Sequence, residues 1–137
     1  MTEVTSDEFS KRFVALVLGA RELPKKPLAL GILLLSSVLG LEPGRRYSEA
    51  EVNGELQKWI LGFGGQFGLD HVTLRRLLID GRYLSRDPSG SSYQLEPAGP
   101  RYGFDPSIRS LDLQALVAEA RDERKRRKQK HIQESGQ

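Results

Sequence analysis

Apolar residues recur at helical spacing from near the start of the chain. Phe9, Phe13, Leu16, Val17 and Ala20 fall three or four positions apart, the spacing of one helix face, with Ser6 placed as N-cap and Gly19 near the end. Pro24-Lys25-Lys26-Pro27 interrupts that pattern and restarts the chain, Pro27 suiting a first helical turn. From Leu28 to Leu39 the residues are apolar nearly all round, which predicts a buried central helix. Leu41-Glu42-Pro43-Gly44 is a turn. The next helix opens with Ser48 and Glu51 at capping-box spacing. It buries Val52, Leu56, Trp59 and Ile60 and leaves Glu51, Glu55 and Lys58 to solvent. Gly62, Gly64, Gly65 and Gly68 predict a permissive loop anchored by Phe63 and Phe67.

Asp70 is a good N-cap for a further helix reaching Asp80, with Leu74, Leu77 and Leu78 inward. Tyr83–Arg86 and Ser92–Leu95 then flank Asp87-Pro88-Ser89-Gly90, in which proline pre-sets one dihedral and glycine accepts the left-handed one. Pro97-Ala98-Gly99-Pro100 reads as the start of a linker, and a last helix from Ser110 buries Leu113, Leu116, Val117 and Ala120. The expected fold is mainly α with a small β-hairpin: a winged helix-turn-helix core flanked by N- and C-terminal helices. Its expected segments are an N-terminal helix (1–23), the winged-helix-like domain (24–96), a linker (97–109) and a C-terminal helix with a basic tail (110–137). Such a core presents one helix and one hairpin to a duplex.

The same residues carry a resemblance. Arg46-Tyr47-Ser48-Glu49 with Glu51-Val52-Asn53, then Asp70-His71-Val72-Thr73-Leu74-Arg75-Arg76 with Leu78-Ile79-Asp80, then Leu84-Ser85-Arg86-Asp87 and Gly90-Ser91-Ser92-Tyr93 form an ordered set. This set resembles the bacterial domain-of-unknown-function family 2087. Its members occur alone or joined to helix-turn-helix regulators of the arsenical-repressor type, and the resemblance implies no assigned biochemical activity. Two positions depart from the pattern. Gly81-Arg82 stands where the family more often has its glycine one place later, and Gln94 follows Tyr93 where an aromatic is common.

Composition narrows the chemistry. A chain of 137 residues suffices for one compact domain with added elements. With no cysteine there is no disulfide framework, thiolate nucleophile or cysteine zinc site. The acidic start, with Glu3, Asp7 and Glu8, does not resemble a secretory signal, and a cytoplasmic location is expected. The uncharged run from Pro27 to Leu41 falls short of the roughly 20 residues that span a membrane, so no membrane partner is expected. The net charge is +3, yet residues 121–130 alone carry +5 and residues 1–120 sum to −1. The basic character therefore belongs to the tail, and DNA binding by the domain requires a locally positive face.

On the helix after Asp70, the residues expected to meet duplex DNA are His71, Thr73, Arg75 and Arg76, the guanidinium forks suiting guanine or phosphate. Arg82 and Arg86 near the hairpin, and Arg45 and Arg46 before the preceding helix, would add phosphate contacts. In the tail, Arg124, Lys125, Arg126, Arg127 and Lys128 are dense enough to neutralise phosphates. The plainer reading makes Arg75 and Arg76 solvated residues paired with Glu55, Asp80 or another acid, and the tail a solvated helix end. Val72 and Ile79 share the face of Arg75 and Arg76. They favour an alternative, non-enzymatic role in which the domain holds a protein partner or a second copy as a homodimer. No catalytic residue, metal site or cofactor is expected. His71 and His131 lie far apart in the chain, and Gly62-Phe63-Gly64-Gly65 lacks the lysine of a phosphate loop. The role expected of the whole is transcription regulation. Asn53 reads as a local hydrogen-bonding residue.

Overall fold

Proline, glycine and short polar side chains set the helix boundaries in the computed structural model, which describes residues 3–135. The order is β1 (Glu3–Val4), α1 (Ser6–Gly19), α2 (Pro27–Ser37), β2 (Tyr47–Ser48), α3 (Glu49–Trp59), α4 (His71–Asp80), β3 (Leu84–Arg86), β4 (Ser92–Leu95), β5 (Gly103–Phe104) and α5 (Leu113–Ser135). Met1, Thr2, Gly136 and Gln137, the outer ends of the expected terminal segments, lie outside the described residues. The protein is mainly helical with a small three-stranded antiparallel sheet.

α2 is the centre of the molecule. Pro27 occupies its first turn, and every residue from Gly31 to Val38 is buried. Its two buried hydroxyls remain bonded: Ser36 Oγ donates to the Leu33 carbonyl at 2.6 Å and Ser37 Oγ to that of Leu34 at 2.7 Å. Ser36 Oγ also accepts the Trp59 indole N–H at 2.9 Å, which ties α3 to α2. Around this axis α1 supplies Phe9 and Phe13, α3 supplies Val52 and Leu56, and α4 supplies Leu74 and Leu78, all fully buried. At about 25 cal/mol per Å² of apolar surface removed from water, each of these side chains contributes about 1.5–3 kcal/mol.

The α3 cap forms as its sequence predicts. Ser48 Oγ accepts the Glu51 N–H at 3.1 Å, and the Glu51 carboxylate accepts the Ser48 N–H at 2.9 Å. The Ser48 N–H first, and then the Ser48 hydroxyl, hold the Glu51 carboxyl below its ordinary value. The sheet order is β2–β4–β3, with Tyr47 opposite Tyr93 and Leu84 opposite Leu95. The hairpin turn has Gly90 at φ +77°, the left-handed conformation its sequence predicts.

Five features differ from the sequence-based expectation. Thr5 rather than Ser6 caps α1, its hydroxyl accepting the Glu8 N–H. β2 adds a third strand to the hairpin; at two residues it is too short to show an alternation. The glycine-rich stretch is helical, continuing α3 as a π-helical turn (Ile60–Gly64) and a 3-10 turn (Gly65–Phe67). The Trp59 ring packs over Gly64 so closely that a Cβ there would overlap it. The expected linker carries structure of its own: β5 pairs in parallel with β1, and Pro106–Ser110 form a 3-10 turn that buries Ile108. Ser110 therefore closes that turn, and α5 starts at Leu113 with Asp112 accepting the Ala115 N–H. α5 packs on α1 through its first turns, where Val117 is buried.

Candidate nucleic-acid interface

α4 stands on the core through Leu74 and Leu78, with Leu77 and Ile79 packed against it, and its other positions face α3, the hairpin or solvent. The helix begins where Gly68, at φ +67°, turns the chain out of the 3-10 turn. Asp70 then accepts the Thr73 N–H at 2.7 Å, a bond that lowers its carboxyl's pKa. Thr73, Val72 and Arg76 are exposed, Val72 by 44%. His71 is half-buried, with Nδ1 3.4 Å from Gln57 Nε2 on α3.

Arg75 is held inside the fold, not offered to solvent. Its side chain is 16% exposed, with Nη2 3.1 Å from Glu49 Oε1. Nη1 donates to Asn53 Oδ1, and the guanidinium carbon lies 5.5 Å from the centre of the buried Tyr93 ring. Arg75 thus joins α4 to α3 and β4. It pairs with an acid as the plainer reading proposed, though that acid is Glu49. Asn53, whose sequence suggested a local hydrogen bond, accepts one from a residue 22 positions away.

Arg86 reaches the same Tyr93 ring, at 5.8 Å, from β3. Between α4 and the hairpin the outcome is a groove of about 220 Å³ lined by Val72, Arg75, Arg76, Ile79, Asp80, Arg86 and Tyr93. Neither Arg76 nor Arg86 has a carboxylate partner among the described residues. Arg46 stands beside the hairpin turn, 3.9 Å from Asp87. The Asp87 carboxyl is held low by its bonds with Ser89 and Ser92, with a smaller effect of Arg46. Arg45 lies 4.9 Å over the Tyr47 ring and 3.9 Å from Glu51, beside the start of α3.

Arg82 is not part of this groove. It takes a left-handed conformation, φ +66°, just past α4 and lines a cavity toward α2. The tail cations Arg124, Lys125, Arg126, Arg127 and Lys128 are exposed on α5. Glu123 pairs with Arg126 and Arg127 at 3.1 Å each, and these contacts hold its carboxyl low. Arg76, Arg86 and Arg46 therefore gather around the helix and hairpin, while the tail forms a separate basic stretch.

No helix among the described residues is long and apolar enough to cross a membrane. Nor do they include three or more His, Cys, Asp or Glu side chains grouped closely enough to hold a metal ion. No curated protein and no solved structure matches the chain. Residues 21–95, which run from the turn before α2 to the end of β4, match the bacterial family described as uncharacterized protein conserved in bacteria, DUF2087. That span is more than half of the chain and includes the groove with every residue lining it, and the protein belongs to this family.

Proposed function

We propose that the protein binds duplex DNA, with α4 and the β3–β4 hairpin used together as the helix and wing of a winged helix, in a transcriptional setting. The observation that carries this reading is the single groove in which Arg76 and Arg86 stand without carboxylate partners, one on the helix and one on the hairpin. The order helix, strand, helix, helix, hairpin, with β2 paired to β4, supports the same use. The contact set becomes His71, Thr73 and Arg76 on the helix, with Arg86 and Arg46 at the hairpin. Arg75 serves as their support. Arg124–Lys128 add salt-sensitive affinity for phosphate without reading sequence.

Fluorescence anisotropy with a random duplex at low and moderate salt tests this, comparing the full chain with Arg76→Ala/Arg86→Ala and with a chain ending at Ala120. The double variant is expected to lose about tenfold in affinity at low salt and to show a shallower salt dependence. Binding that survives the double variant but vanishes with the tail would assign DNA contact to α5 alone. No binding by any form would remove DNA as the partner. Val72 favours a second reading: an apolar side chain 44% exposed, on a groove that Asp80 also lines, suits a protein partner better than a phosphate backbone.

A further inference from the structure

A cavity larger than the groove lies on the other side of the turn that ends α4. Pro27, Leu30, Gly31 and Leu34 form one wall along α2. The chain after the hairpin, Ala98 to Tyr102, folds over them, and the turn Asp80–Tyr83 closes the end. The space measures about 640 Å³, within the range of small-molecule sites. Gly31 lets both tyrosines close on α2 at the cavity wall: a Cβ there would stand 2.7 Å from the Tyr83 hydroxyl and 3.4 Å from the Tyr102 ring.

Two observations give the cavity a chemistry. Tyr83 is only 5% exposed, yet its hydroxyl has no hydrogen-bond partner among the described residues. No polar side-chain atom among them is both sealed off and unpaired, so this hydroxyl opens on the cavity. Burial, and then the Tyr102 phenol, push its pKa up to about 12, which keeps it a neutral donor. At the rim, Arg82 and Arg101 have no carboxylate within ion-pair distance among the described residues. Asp80 is the one acidic side chain in the lining, which leaves the rim at +1 and suits a monoanion over a dianion.

We propose that this cavity binds a small aromatic monocarboxylate. Its ring would lie in the apolar slot between α2 and Tyr102, with the carboxylate toward Arg82 and Arg101 and an oxygen accepting from Tyr83. The site offers a neutral donor without a protein partner and two cations without carboxylate partners, so an anion that reaches all three gains most. The proposal stands independently of the DNA reading, since no groove residue except Asp80 takes part.

The test is titration of the whole 137-residue chain with 2-naphthoate, benzoate and the neutral 2-naphthamide, followed by calorimetry and by amide chemical shifts. Saturable binding of 2-naphthoate is expected, with shifts centred on Gly31, Tyr83 and Tyr102 and with 2-naphthamide about tenfold weaker. Tyr83→Phe keeps the ring and is expected to weaken binding about fivefold, and Arg101→Gln by a similar factor. Failure of both carboxylates to bind saturably overturns the proposal. Binding that Tyr83→Phe and Arg101→Gln both leave unchanged overturns it as well.

Discussion

Arg75 and Arg76 are sequence neighbours with opposite situations. Arg75 satisfies Glu49 and Asn53 on α3 and lies over Tyr93, whereas Arg76 is exposed and has no carboxylate partner among the described residues. Truncating Arg75 leaves a part-buried amide and a carboxylate without their cation, a change worth about 1.5–3 kcal/mol. Arg75→Ala is therefore expected to lower stability by about 2 kcal/mol, while Arg76→Ala stays within about 0.5 kcal/mol of the parent. Urea unfolding followed through the single tryptophan, Trp59, separates the two; equal midpoints would refute the supporting role of Arg75. The sequence identified both as arginines on the exposed side of one helix. It could not tell them apart, because the distinguishing partners sit on α3 and β4, far along the chain. Arg82 is different again. The left-handed conformation it takes, φ +66°, is the one glycine adopts without steric cost, which gives a physical reason for the resemblance's glycine at that place.

At the scale of elements, legibility follows the range of the interactions. The α3 capping box lies within four residues, and both of its hydrogen bonds form. The α4 cap and the Gly90 turn are equally local and were equally readable. β2 pairs with a strand more than forty residues away and β1 with one a hundred residues away, so neither left a local signal. Glycine after glycine from Gly62 to Gly68 suggested a loop on propensity alone. Tertiary packing overrides that preference: Phe67 is buried beside Trp59, and the Phe63 ring meets Phe13 edge-on at 5.3 Å. Here glycine serves close approach more than flexibility. Gly64→Ala is expected to destabilise by about 1–3 kcal/mol through overpacking against Trp59. The variant should also show an altered Trp59 emission spectrum in the native state. A spectrum and melting temperature identical to the parent would mean that the indole yields freely.

For the whole molecule, the core crosses the limits of the family match: Phe9, Phe13 and Val117 come from outside residues 21–95 and pack with Ile32, Leu33 and Val52 from within it. Stability then depends on caps and turns distributed over all these parts. Glu51, Asp70, Asp87, Asp105 and Glu123 have pKa values lowered from 4.5 for Glu and 3.8 for Asp, chiefly by hydrogen bonds their carboxylates accept. A carboxyl lowered in the folded state adds stability above its unfolded value, and that stability disappears as pH falls through the folded one. Thermal melts are expected to be nearly flat from about pH 7 to pH 5 and to decline progressively below about pH 4. A melting temperature that rises on acidification would contradict these assignments. One feature of the frame reaches further. Ser48 is at once the last residue of β2 and the cap of α3, and Arg75 bolts α3 to α4 above the Tyr93 ring of β4. Helix and hairpin are therefore tied through α3 and β4 as well as through the turn that joins them in the chain. If the groove between them takes a duplex as proposed, the duplex would meet a width framed in advance by α3 and β4, and selectivity would lean on how readily it bends.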